Sequence, residues 1–117
     1  MNTITPTTKE LEFIEAYFEA IDFTATGDLE QPDSGAELCE EFARESVIDC
    51  LAFYSSIACY LSDDNIAQAG HDFWLTRNHH GVGFWERPEI YGAFSDMFST
   101  RAQGFGEVDA YFEEPTT

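Results

Sequence analysis

His71-Asp72-Phe73-Trp74-Leu75-Thr76-Arg77-Asn78-His79-His80-Gly81-Val82-Gly83-Phe84-Trp85 is the stretch on which the fold turns. His71 to Arg77 and Val82 to Arg87 are both rich in aromatic and bulky residues, and Asn78-His79-His80-Gly81 lies between them. Two such runs around a short polar link are the pattern of a β-hairpin, with Asn78 and Gly81 suited to positive φ. On this reading Phe73, Leu75 and Phe84, with Trp74 or Trp85, fill the core. Gly81 and Gly83 permit the turn and a close backbone approach, and Arg77 pairs with Asp72 or Glu86 across the hairpin.

Upstream, the pattern is helical. Leu11, Ile14, Tyr17, Phe18 and Ile21 recur at helical spacing over Thr8 to Asp22, with Thr7 or Thr8 as the cap and Glu12, Glu15, Glu19 and Asp22 on the other face. Thr24 to Ser34 reads as a loop. A second helix runs from near Gly35 to about Leu61, with Leu38, Phe42, Ile48, Leu51, Ser55 and Ala58 on one face and Glu37, Glu41, Glu45 and Asp49 alongside. Ser62 caps a short helix that Gly70 ends.

Downstream, Pro88 opens a helix carrying Ile90, Tyr91, Phe94, Met97 and Phe98, which Gly104 and Gly106 stop. Alternation over Glu107–Glu113 predicts a last strand, placed by a right-handed crossover antiparallel to the first. The expected order is α-α-(α)-β-β-α-β. That is an α+β domain in which amino-terminal helices pack on a small antiparallel or mixed three-stranded sheet. Residues 1–117 are expected to form one domain, with 1–7 and 114–117 flexible.

Charge narrows the function. Twenty-three acids face five bases, a formal net charge of −18, and Lys9 is the one lysine. A nucleic-acid binder needs the opposite sign. The 44% hydrophobic content, with 11 phenylalanines, argues against general disorder. Cys39, Cys50 and Cys59, spaced by 11 and 9, fit no zinc or redox motif and read as buried reduced thiols of a cytoplasmic protein. Residues 1–25 carry no signal-peptide pattern, and no apolar run is long enough for a membrane span.

The motif resembles one found in short, acidic proteins encoded by bacteriophages and related mobile elements. In those proteins a D-F-x-L-T-R-N-x-H-G-x-G-F-W hairpin precedes a helix and a strand resembling F-G-E-V-D-x-Y. Asp72, Phe73, Leu75, Thr76, Arg77, Asn78, Gly81, Gly83, Phe84 and Trp85 stand in the first motif here, and Phe105-Gly106-Glu107-Val108-Asp109-Ala110-Tyr111 in the second. The likeness covers residues 69–112 well and the amino-terminal helices loosely. The family often continues with polar residues beyond the last strand, whereas this sequence stops at Thr117. What the resemblance implies is a phage setting rather than an activity.

Three histidines, His71, His79 and His80, with Asp72 nearby, raise metal binding or base catalysis. Asn78, His79 and His80 in a strand–loop–strand–helix order also resemble the ββα-metal nucleases. A chain of charge −18 repels the polyanion such an enzyme must hold. No phosphate loop, nucleophile elbow or metal-ligand helix motif is present. No cofactor and no enzymatic activity are expected.

The acidic helix faces remain. Acids three or four residues apart lie roughly 5–6 Å apart along a helix axis, on the scale of backbone phosphates. Glu12, Glu15, Glu19, Asp22, Glu37, Glu41, Glu45 and Asp49 therefore form a candidate surface for the basic face of a host nucleic-acid-binding complex, such as a CRISPR effector or restriction enzyme. The expected role is a phage-encoded inhibitor acting by mimicry and steric blocking, without itself binding nucleic acid or membrane, and with homodimerisation left open. A haloadapted adaptor whose acidity serves high salt alone is the alternative, and a histidine-centred metal protein is a further one.

Overall fold

The computed structural model describes residues 6–26, 37–38, 40–79, 83–108 and 112–113. The chain is all-α, not α+β. Helix α1 spans Thr8–Thr26, α2 Glu40–Ile57, α3 Ile66–Arg77, α4 Pro88–Tyr91 and α5 Ser95–Gln103, with single 3-10 turns at Ala58–Tyr60, Asp63–Asn65, Phe84–Glu86 and Gly92–Phe94. Among the described residues the one extended pairing is a two-residue antiparallel contact, β1 (Glu37–Leu38) with β2 (Phe112–Glu113).

Helix α1 begins as expected. The Glu10 amide donates to Thr7 Oγ1 at 3.1 Å and the Thr7 amide donates to Glu10 Oε1 at 2.8 Å, a reciprocal capping box. The buried face is Phe13, Ile14, Ala16, Tyr17, Ala20 and Ile21, and Leu11 stands outside it. Apart from Pro6 and Thr7, the terminal segments 1–7 and 114–117 lie outside the described residues. Helix α2 starts at Glu40, and its core side is Ser46, Cys50, Phe53, Tyr54 and Ile57. The expected face was rotated: Ile48 is 58% exposed and Ser55 is exposed.

The largest correction falls on the opening stretch. His71 to Arg77 is the second half of α3 and not a strand. Ile66, Ala69, Gly70, Phe73, Trp74 and Arg77 are buried, a 3.6-residue periodicity that runs straight through Gly70. Gly70 ends nothing. A Cβ there would sit 2.3 Å from the Phe13 carbonyl oxygen and 2.9 Å from Ala16 Cβ, so its bare backbone sets how closely α3 lies on α1.

Asn78 and His79 finish the helix. The Asn78 Nδ2 donates to the Trp74 carbonyl at 3.1 Å, and His79 takes a left-handed φ of 57°. Asn78 itself has φ −107°, and Gly81 lies outside the described residues. A left-handed residue after an asparagine serves a helix end as well as a hairpin turn, which is why the two are hard to distinguish in sequence. The second expected strand, Val82–Arg87, is a 3-10 turn over Phe84–Glu86. It is docked on α3 by the Phe84 amide donating to Thr76 Oγ1 at 3.1 Å. Of the strand expected at Glu107–Glu113, Phe112–Glu113 alone is assigned as extended, and 109–111 lie outside the described residues.

Pro88 does open a helix, which breaks at Gly92 (φ 61°) and resumes as α5. One connected cluster unites these elements, centred on Phe13, Tyr17, Phe53, Phe73, Phe84 and Phe98. The Phe53 and Phe73 rings stack at 4.2 Å. Trp74 belongs to this core, Leu75 borders it, and Trp85 is 49% exposed.

Candidate functional site

Asp72 and Arg77, five residues apart on α3, project roughly 140° apart around the helix and do not pair. Each organises its own buried network. Asp72 is fully buried and accepts from Gln68 Nε2 at 3.1 Å, from Arg87 Nε at 3.0 Å to both oxygens, and from the Tyr91 hydroxyl at 2.7 Å. Tyr91 is pushed well above the usual phenol range, first by burial and then by the Asp72 charge.

Arg77 is 2% exposed. Its Nη1 donates to the Tyr17 hydroxyl oxygen at 3.2 Å and to Asp49 Oδ2 at 3.0 Å. Its Nε and Nη2 donate to the carbonyls of Gly106 (2.8 Å) and Phe105 (3.0 Å). The guanidinium also lies 5.3 Å from the Phe73 ring centre and 5.7 Å from that of Phe105. One side chain thus joins α1, α2 and the segment after α5. Asn78 adds to this clamp by accepting from the Val108 amide at 2.8 Å.

Burial raises Tyr17 and the Cys50 thiol far above their ordinary values, against the pull of Arg77. In each case the folded-state value lies above the unfolded one, so the stabilisation is complete below the unfolded pKa and is lost as pH rises towards the folded one. Unfolding by urea at pH 8 to 11 is therefore expected to show stability falling from about pH 9 upward, through the reference values of Cys50 and the tyrosines. Tyr17→Phe is expected to flatten that decline. A flat profile to pH 11 would contradict it.

The sequence placed eight acids on one candidate surface, and the structure divides them. Glu12, Glu15, Glu19 and Asp22 are all exposed along the solvent side of α1. Glu41 and Glu45 are exposed one turn apart on α2. Asp49 leaves the row, since it turns towards Arg77. Glu37 is not on the helix at all: it lies in β1 opposite Glu113.

The cations complete the picture. Lys9 reaches Asp63 at 2.9 Å, Arg44 stands 3.9 Å from Glu40, Arg77 holds Asp49 and Arg87 holds Asp72. Arg101 donates to the Ser56 carbonyl and lies over the Tyr60 ring. Each of the five basic side chains in the sequence thus lies against an acid or a carbonyl, Lys9 and Arg44 at the surface and Arg77 buried. This feature was not read from the sequence, although the scarcity of bases pointed towards it.

His71 and His79 face different acids. His71 meets Glu19 at 3.2 Å and His79 meets Glu107 at 3.6 Å, while His80 lies outside the described residues. No group of three or more His, Cys, Asp or Glu side chains among the described residues is arranged to hold a metal. Cys50 is buried, but Cys59 is exposed, which corrects the expectation of three buried thiols; Cys39 lies outside the described residues. No helix among the described residues is long and apolar enough to cross a membrane. No family model, curated protein or solved structure matches this chain.

Proposed function

We propose that this protein is a phage-encoded inhibitor of a host nucleic-acid-binding defence complex, a CRISPR effector or a restriction enzyme, working in the host cytoplasm. It sets acidic helix faces into the basic channel that normally holds DNA or RNA. No reaction is asked of it.

The observation that carries this reading is the exposed row Glu12, Glu15, Glu19 and Asp22 on α1, in a molecule whose five cations each lie against an acid or a carbonyl of its own. The row spans about 15 Å of helix at a mean spacing of about 5 Å, against one phosphate per roughly 3.4 Å of axis on a DNA strand. Glu41 and Glu45 supply a second, shorter row. Lys9 and Arg44 also stand at the surface, each beside an acid, but with 23 acids against five bases the net field is strongly negative, which steers the molecule to cationic partners.

Displacement is the test. Labelled DNA bound to a candidate effector is expected to be released by the protein at about 50 mM salt, with the apparent affinity falling roughly 100-fold by 200 mM as ion-pair contacts are screened. Release insensitive to salt, or none at low salt from any candidate complex, would contradict the proposal. Thermal unfolding against potassium chloride separates haloadaptation: stability rising to a plateau near about 0.3 M reflects simple screening, whereas continued gain into molar salt favours the high-salt reading.

A further inference from the structure

An open groove of about 450 Å³ runs between α1 and α3, lined by Glu19, Ala20, His71, Leu75 and Arg87. It lies within the usual size of small-ligand sites, about 300–1,000 Å³. A second concavity near Thr76, Gly83 and Trp85 holds only about 10 Å³ and can take no more than a water molecule.

Arg87 is the unusual wall of the groove. Its Nε is anchored to both oxygens of Asp72, which Gln68 and Tyr91 hold in turn. The guanidinium is therefore fixed in position. No hydrogen bond joins its two terminal nitrogens to a described residue, and a planar pair of N–H donors matches a carboxylate. Glu19 stands on the same groove, bonded to His71, while Ala20 and Leu75 supply apolar surface.

Charge decides the ligand class. A simple anion would meet Arg87 only after approaching a molecule of net charge −18, and Asp72 already offsets that arginine. A zwitterion bears no net charge and avoids the long-range repulsion, yet its two ends match the two charged walls. We propose that this groove binds a small zwitterion with an apolar side chain, an amino acid or a dipeptide. Its carboxylate lies on the Arg87 guanidinium, its ammonium faces Glu19, and its side chain rests on Ala20 and Leu75. This site shares Glu19 with the acidic row of α1, but it rests on the groove and on Arg87 and would stand if the mimicry reading failed.

The test uses the intact protein and varies the ligand first. Phenylalanine and the dipeptide Leu-Leu are titrated to about 10 mM while the His71 ring and Leu75 methyl resonances are followed by NMR; this ceiling corresponds to a free energy of about −3 kcal/mol. Saturable shifts with at least one of them are expected, and which one saturates distinguishes the two sources. N-acetylphenylalanine and phenylalaninamide, or the correspondingly blocked dipeptide, are expected to bind at least about tenfold more weakly, each having lost one charge. Glu19→Gln, at an exposed position, is expected to weaken binding by a similar factor without altering the fold. No saturation with either parent ligand, or blocked forms that bind within tenfold of the parent, would overturn the proposal.

Discussion

Arg77→Ala is expected to lower the unfolding free energy by about 4 kcal/mol, the range typical of removing one partner from a buried ion pair. A small domain has only about 5–15 kcal/mol to lose, so this variant should be largely unfolded near 37 °C. The geometry explains the size of the effect. The side chain is 2% exposed and donates to Tyr17, Asp49, Phe105 and Gly106. Truncation leaves two carbonyls and a buried hydroxyl without their donor, and opens space between Phe73 and Phe105. Arg77→Lys restores the charge but not the fork of donors, and should recover less than half of the loss. Urea unfolding with an unchanged slope is the check. A loss below about 1 kcal/mol would show that this clamp contributes no more than an ordinary hydrogen bond.

Gly70→Ala tests the packing of α1 on α3, and here even the sign is informative. Helix propensity alone favours alanine over glycine by about 1 kcal/mol in a helix interior. The added Cβ would lie 2.3 Å from a backbone oxygen of Phe13, and a backbone atom cannot rotate away. The helices must separate, at a typical overpacking penalty of about 3 kcal/mol. The second effect is larger, so a net loss of about 2 kcal/mol and a lower melting temperature are expected. A higher melting temperature would mean that the interface gives way easily.

The same glycine shows how far the sequence could be read. In isolation, Gly70 after Asn65–Ala69 looks like a terminator, and the aromatic run beyond it then looks like a strand. The pattern Ile66, Ala69, Gly70, Phe73, Trp74 and Arg77 is helical only if a glycine and an arginine are allowed on the buried side. Both are there for tertiary reasons: one for close approach, the other for a charge on α2. Neither reason is local, and this is where propensity reasoning gave the wrong class of fold. The first helix was legible because its signals were local, with the Thr7–Glu10 box, an apolar face and acids opposite. The α2 face was misjudged because Ile48 resembles a core residue yet lies outside, while Ser46 lies inside.

The candidate surface was legible in the same uneven way. Glu12, Glu15, Glu19 and Asp22 follow from spacing alone and are exposed as expected. Asp49 could not be removed from the surface without knowing where Arg77 lies, nor Glu37 without knowing that α2 begins at Glu40. The motif residues Asp72, Thr76, Arg77 and Asn78 are used inside the molecule. Their hydrogen bonds join α3 to α2, to the Phe84 turn and to Tyr91.

The proposed inhibition rests on the α1 row, and its most direct measurement is displacement of DNA from a responsive effector by the Glu12→Gln, Glu15→Gln, Glu19→Gln, Asp22→Asn variant. Four exposed charges are removed with little change in shape, and the melting temperature should hold or rise as self-repulsion falls. The variant is expected to stay folded while its apparent affinity at about 50 mM salt drops at least 100-fold, with a shallower salt dependence. A folded variant that displaces DNA as well as the parent, with the same salt slope, would contradict it.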